Sequence, residues 1–133
     1  MKAVLDTNIF ISGIHWTGAS GKVLYAWRSK RFELISSIPI IEEIIKILAN
    51  FKIPLAIEDI KEWEQIILKN SILVEPFEKL NAVKEDPSDD KFLEAGIAGN
   101  AEYIVTQDKH LLGLKEFQGV KIVKPERFLE IIN

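Results

Sequence analysis

Short apolar runs alternate along the chain with stretches whose apolar residues recur at helical spacing. Ala3-Val4-Leu5 closes at Asp6 and reads as a buried strand. Ser20 stands as an N-cap before Val23, Leu24, Ala26 and Trp27, which predicts a helix to about Lys30. The segment between Asp6 and Ser20, with Trp16, reads as a loop. Phe32-Glu33-Leu34-Ile35 is a second strand. Pro39 suits a first helical turn, and Ile41, Ile44, Ile45 and Leu48 follow at helical spacing. A further helix runs from about Ile57 to Lys69, and Ile72-Leu73-Val74 is a third strand. The polar stretch from Glu78 to Pro87 reads as a loop. Ser88 or Asp89 then caps a helix holding Phe92, Leu93, Ala95, Ile97 and Ala98, which ends at Gly99-Asn100. Tyr103-Ile104-Val105-Thr106 and Val120-Lys121-Ile122-Val123 are the fourth and fifth strands, and Pro125 opens a last helix to about Ile132.

Such alternation implies an α/β fold with a mainly parallel sheet covered on both faces. Its 133 residues have the size of one domain, and neither a repeat nor a low-complexity linker divides them. In this class of fold, ligands sit outside the carboxyl ends of the strands.

Composition narrows the chemistry available there. Cysteine is absent, which excludes a disulfide scaffold, a thiolate nucleophile and a cysteine-held metal. The two histidines, His15 and His110, are too few for a histidine-rich metal site, and a packing or surface role suits both. The net charge of −3 argues against a module that holds nucleic acid by charge alone. It leaves room for a nuclease whose carboxylates hold metal ions. Asp6 interrupts the place where a signal peptide would be apolar, and no stretch approaches the roughly 20 apolar residues that span a bilayer. A cytoplasmic location is the expectation.

The acidic residues gather where that rule directs attention. Asp6 ends the first strand and Asp108 follows the fourth. Asp89 and Asp90 open the helix that feeds the fourth strand, and Glu42 and Glu43 lie in the first turns of the helix after the second. Carboxylates so crowded repel one another, and magnesium or manganese offsets that repulsion with oxygen ligands. The same ions activate water and offset charge on a phosphodiester. Each residue also has a structural alternative. Asp89 and Asp90 suit a helix N-terminus, Glu42 and Glu43 a solvated face, and Asp108 the cap of a short helix through His110 and Leu111. Asp6, ending a buried strand, is the hardest to explain without a partner.

Four segments together resemble the PIN domain (PilT N-terminus) family. They are Val4-Leu5-Asp6-Thr7-Asn8, Ser37 followed by Glu43, Asp86 through Ala95, and Ile104-Val105-Thr106-Gln107-Asp108. The likeness spans nearly the whole chain and is nearest to the branch of VapC-type toxins from toxin–antitoxin systems. It implies a three-layer α/β/α fold around a mostly parallel five-stranded sheet. It also implies a magnesium- or manganese-dependent ribonuclease using one or two ions, an antitoxin partner and a homodimer. The family's acidic positions fall on Asp6, Glu43, Asp90 and Asp108, with Asp6, Asp90 and Asp108 as metal ligands. Asn8 and Thr106 match polar supporting positions, and Asp86 an additional acidic one. Asp89 is one position from Asp90, and Glu42 one from Glu43, so each pair offers two registers; the spacing from Ser37 favours Glu43.

Other signals are weaker. Gly18-Ala19-Ser20-Gly21-Lys22 fails as a nucleotide-binding loop, because Trp16 stands where its first glycine belongs and Val23 where Ser or Thr is required. Ser20 and Lys22 at a helix start, with Lys109 after Asp108, are candidate RNA phosphate contacts; capping and a solvated basic face explain them as well. Trp27 and Trp63 suit a core, whereas Trp16 is the better candidate for a contact. The isoleucine-rich stretch from Ile38 to Ile67 suits either core packing or a protein-binding face. Two rivals to the nuclease are an aspartyl phosphotransfer enzyme and a non-catalytic interaction module. The first lacks its second aspartate, because Asn8 stands there; the second sits poorly with every matched acidic position being retained.

Overall fold

Strands β1 (Lys2–Leu5), β2 (Glu33–Ser36), β3 (Ser71–Leu73), β4 (Tyr103–Val105), β5 (Glu116–Phe117) and β6 (Val120–Val123) form one sheet ordered β3-β2-β1-β4-β6-β5. The computed structural model describes residues 1–77 and 79–133, so Glu78, the first residue of the predicted loop, lies outside them. All pairings are parallel except β5 with β6. The sheet therefore has six strands rather than the expected five. The additional strand is two residues long and too short to show a hydrophobic period. It is joined to β6 by Gln118-Gly119, both at positive φ (48° and 88°), the backbone that a two-residue hairpin turn demands.

Helices α1 (Thr7–His15), α2 (Ala19–Arg28), α3 (Ile38–Asn50), α4 (Ile57–Lys69), α5 (Asp90–Ala98), α6 (Lys109–Leu112) and α7 (Pro125–Ile132) flank the sheet. A 3₁₀ turn, Pro87–Asp89, leads into α5. The helix α1 was expected as loop. Its Ile9, Phe10 and Ile11 are all buried, but β-branched residues and Gly13 make a poor helical signature. Asp6 starts this helix, its side chain accepting from the amide of Asn8. Ser20 is not a cap: Gly18 is, at φ 130°, and Ser20 lies buried in the first turn of α2. Helix α5 lies across β1, β2, β4 and β6. There the close approach of Gly99 to β2 leaves no room for a side chain: a Cβ would stand 2.6 Å from Cγ2 of Ile35. Elsewhere α1 packs on α2 and α3, and α7 packs on α2.

The isoleucine-rich stretch divides between buried and exposed positions. Ile40, Ile41, Ile44, Ile60 and Ile67 are in the core, whereas Ile38, Ile53 and Ile57 are exposed. Trp27 is buried with its indole N–H on the Asn70 carbonyl, and Trp16 is exposed against His15 and Phe51. His15 bridges the carbonyls of Ile11 and Ile53 with its two ring nitrogens. Among the described residues, no helix is long and apolar enough to cross a membrane.

The strand order has one consequence for function. The chain leaves β1 toward β2 on one side and later returns to β4 on the other. The carboxyl ends of β1 and β4 therefore flank the switch point of the sheet, where a crevice opens in folds of this kind. Asp6 and Thr106 are the first residues beyond those two strands.

Candidate active site

Asp6 is buried at 3% exposure where β1 gives way to α1. Its Oδ2 accepts from the Thr106 hydroxyl at 2.6 Å, and its Oδ1 from the Asn8 amide at 3.4 Å. The supporting role expected of Asn8 is thus played by its backbone, while its side chain is exposed. Burial pushes the Asp6 carboxyl up to about 6, against the pull of these two bonds and with help from the charges of Asp108 and Glu43.

Thr106 carries the link onward, its oxygen accepting from the Asp108 amide at 2.9 Å. Asp108 in turn caps α6, accepting from the amides of His110 and Leu111 through Oδ1. The capping role and a place in the acidic cluster coexist in this one residue. Its neighbour Lys109 is exposed, as is Lys22; buried Ser20 does not present its hydroxyl to a ligand.

The third wall is the 3₁₀ turn. Asp86 caps it, accepting from the amide and hydroxyl of Ser88. The Ser88 hydroxyl, its amide, and the charges of Lys91 and His110 hold the Asp86 carboxyl below the usual carboxylate range despite some desolvation. Asp89 is the opposite case. It is buried at 7% exposure, and its Oδ2 has no hydrogen-bond partner among the described residues. Burial first, then the charges of Asp108, Asp6 and Asp86, push Asp89 up to about 7. One carboxylate oxygen from each of Asp86, Asp89 and Asp108 lies within 4.8 Å of the others.

Asp90 is not part of this group. Its Oδ1 accepts from the amides of Ala82 and Val83 at 3.1 and 2.8 Å, so it fastens the preceding loop to α5. Of the two registers, it is Asp89 that faces Asp6 and Asp108. The expected ligand Asp90 thus bonds to the loop backbone, and Asp89, set by a short 3₁₀ turn before the helix that sequence spacing does not show, stands nearer the other acidic groups. On α3, Glu43 is half-buried and turned to the site, whereas Glu42 is exposed. Oε1 of Glu43 accepts from the Thr7 hydroxyl, and Oε2 pairs with the Lys91 ammonium at 2.7 Å.

Thr7 and Lys91 are the residues that sequence reasoning passed over. Both stand inside the quoted motifs, next to Asp6 and Asp90. A threonine and a lysine beside acidic residues carry no distinguishing signal until the fold brings Glu43 between them. Two depressions of about 420 Å³ each are lined by one member of the Glu43–Lys91 pair. One is lined by Glu43, Lys46 and Ile47, the other by Lys79, Ser88 and Lys91.

The site is thus a cluster of carboxylates at the switch point of a parallel sheet, with one buried unpartnered oxygen and only oxygen donors, the type that hard cations take. Comparison with known proteins assigns the family. The PIN domain model matches residues 2–110, and the chain belongs to that family. No curated protein sequence matches it. Among solved structures, it is similar to VapBC2 from Rickettsia felis bound to a DNA fragment from their promoter. That match has 17% identity and a TM-score of 0.62, covering 93% of this chain and 98% of the other. It is similar to VapBC-1 from nontypeable Haemophilus influenzae at 19% identity and a TM-score of 0.62, covering 95% and 99%. PAE2754 from Pyrobaculum aerophilum gives 15% identity and a TM-score of 0.65, covering 99% and 89%.

Proposed function

We propose that this chain is a magnesium- or manganese-dependent endoribonuclease and the toxin of a toxin–antitoxin pair. The observation that carries the reading is the meeting of Asp6, Asp86, Asp89 and Asp108 beyond β1 and β4, with Oδ2 of Asp89 buried and unpartnered. A buried carboxylate without a partner is costly, and the cost is removed when a cation arrives. The donors are all oxygen, which suits magnesium or manganese rather than a softer ion. Asp86, Asp89 and Asp108 would hold the ion. When bound, it lowers the pKa of water and offsets charge on the phosphodiester.

The chain's own groups supply the rest. Thr106 fixes one oxygen of Asp6, leaving Oδ1 with a single long bond from Asn8. That oxygen accepts the proton of the attacking water, a role helped by a pKa nearer neutrality than an ordinary aspartate has. The capping bonds on Asp108 and Asp86 lock both carboxylates before substrate arrives, so little reorganisation accompanies reaction. Lys79 and Lys46, lining the two depressions, and exposed Lys22 and Lys109 are suited to the RNA backbone.

The family match and the fold shared with the VapBC structures support the toxin reading. A partner surface also fits: exposed Ile38 and Leu73 line an apolar depression with Pro39, Val74 and Pro76 at the end of β3, suited to an antitoxin or a second copy of the chain.

The test is cleavage of a single-stranded RNA with manganese, with magnesium and with EDTA, using wild type, Asp6→Asn and Asp89→Asn. Cleavage that needs the ion and falls at least about 100-fold in both variants is expected. Equal cleavage in EDTA, or an Asp89→Asn variant as active as wild type, rules the reading out.

A further inference from the structure

The Glu43–Lys91 pair has a charge arrangement that a simple acidic metal site does not need. Lys91 occupies the first turn of α5, and its side chain is only 15% exposed. Its ammonium passes 4.8 Å from the centre of the Phe92 ring. It donates to the Ser88 carbonyl and pairs with Oε2 of Glu43 at 2.7 Å. Its field also reaches Asp86 on the far side. The ammonium therefore lies between the acidic residue of α3 and those of the 3₁₀ turn. Both oxygens of Glu43 have a partner: Thr7 holds one and Lys91 the other.

For Glu43 to bind a metal ion, it would have to release a nearly buried ammonium. That ammonium would then face a second cation across a few ångströms, and like charges held so close and only partly hydrated repel. Asp86, Asp89 and Asp108, like Asp6, pair with no ammonium among the described residues, and the first three are those whose oxygens gather.

We propose that Lys91 is the built-in second cation of this site. It takes the place beside Glu43 that a second divalent ion would occupy. One divalent ion then binds, at Asp86, Asp89 and Asp108, and Glu43 is a positioning residue for Lys91 rather than a metal ligand. This rests on the metal-dependent nuclease reading above. An ammonium has three protons, and the structure uses two of them, on Ser88 and Glu43. The third is left for a non-bridging phosphate oxygen in the depression that Lys91 lines with Lys79 and Ser88. A fixed ammonium there supplies positive charge that neither exchanges with solvent nor depends on the concentration of free metal.

Manganese binding at pH 7, followed by calorimetry and by the electron paramagnetic resonance signal of free ion, tests this without any assay of activity. Wild type is expected to bind one ion per chain. Glu43→Gln keeps that ion with a Kd within about threefold of wild type. Lys91→Met vacates the place beside Glu43 and gains a second ion, and Lys91→Arg, which keeps the charge, stays at one. Circular dichroism establishes that each variant is folded, and Glu43→Gln with Lys91→Arg decides the matter if Lys91→Met is not.

Two ions in wild type, more than tenfold weaker binding in Glu43→Gln, or a folded Lys91→Met that still binds one ion overturns the proposal and leaves the nuclease reading standing. Absence of binding in wild type overturns both. Loss of binding in Asp89→Asn, run alongside, ties the single ion to the expected carboxylates.

Discussion

The hydroxyl of Thr106 donates to Oδ2 of Asp6 at 2.6 Å while its oxygen accepts from the amide of Asp108, so one buried side chain ties the ends of β1 and β4 together at the acidic cluster. Thr106 is completely buried. Thr106→Val keeps the shape and removes both bonds. A buried group left unsatisfied costs about 1–3 kcal/mol, and thermal unfolding at pH 7.5 should show a loss of that size. The bond favours the ionised form of Asp6, so its loss raises the Asp6 pKa further above its present value of about 6. The destabilisation should therefore be smaller at pH 5 than at pH 7.5. An equal loss at both values would mean that Asp6 does not depend on Thr106 for its charge.

The raised carboxyl groups make metal-free stability fall as pH rises. Asp6 binds its proton more tightly in the folded state, at about 6, than in the unfolded chain, at 3.8. That contribution is fully present below about pH 3.8 and is lost as pH rises through about 6. It is worth about 3 kcal/mol, or roughly 10 °C in melting temperature for a chain of this size. Asp89 acts in the same direction through a window ending near pH 7. Asp86, held low, contributes stability present above the ordinary carboxylate range and lost only as pH falls through its lower folded value, so it is constant between pH 5 and 8. In EDTA, melting should be higher at pH 5 than at pH 7.5. Magnesium binds the ionised cluster, so the rise it produces should be larger at pH 7.5. A magnesium effect independent of pH would separate the ion from these carboxylates.

Gly99 fixes how closely α5 approaches the sheet. Its backbone is ordinary, at φ −94°, so the constraint is space: a Cβ would meet Cγ2 of Ile35 at 2.6 Å, in a core position with no exposure. Gly99→Ala should cost about 1–3 kcal/mol by overpacking, measured by urea unfolding. A gain in stability would show that Ile35 turns aside freely.

The legible parts of this protein were those where one local pattern has one solution. Helix α4 and helix α7 run over Ile57–Lys69 and Pro125–Ile132, as their apolar spacing and the opening Pro125 predict. The five parallel strands, β1, β2, β3, β4 and β6, fall within a residue or so of their apolar runs. Helix α1 was hidden because Ile9, Phe10 and Ile11 resemble a strand; tertiary burial of that run overrides its propensity. The site was legible as a set of acidic positions, since each stands at a strand end or a helix start. Its inner geometry was not. Whether Asp89 or Asp90 turns inward depends on one 3₁₀ turn at Pro87–Asp89, and the pairing of Glu43 with Thr7 and Lys91 joins residues far apart in the chain.

The adjacent pair Asp89 and Asp90 should separate function from stability. Asp89 is a buried carboxylate with an unpartnered oxygen and three acidic neighbours, which at neutral pH opposes folding. Asp89→Asn removes that charge, so metal-free protein should melt higher at pH 7.5, by the equivalent of about 1–2 kcal/mol. The same variant should lose the stabilisation by magnesium. Asp90 is the reverse, because its Oδ1 holds the amides of Ala82 and Val83. Asp90→Ala leaves both amides without an acceptor and should cost about 3 kcal/mol, since bonds to charged groups are worth about 1.5–3 kcal/mol each. It should still melt higher when magnesium is added. The pair of melting curves with and without magnesium decides the register. If Asp90→Ala abolishes the magnesium response at unchanged metal-free stability, while Asp89→Asn retains it, the inward carboxylate is Asp90 and the geometry of the 3₁₀ turn described above is wrong.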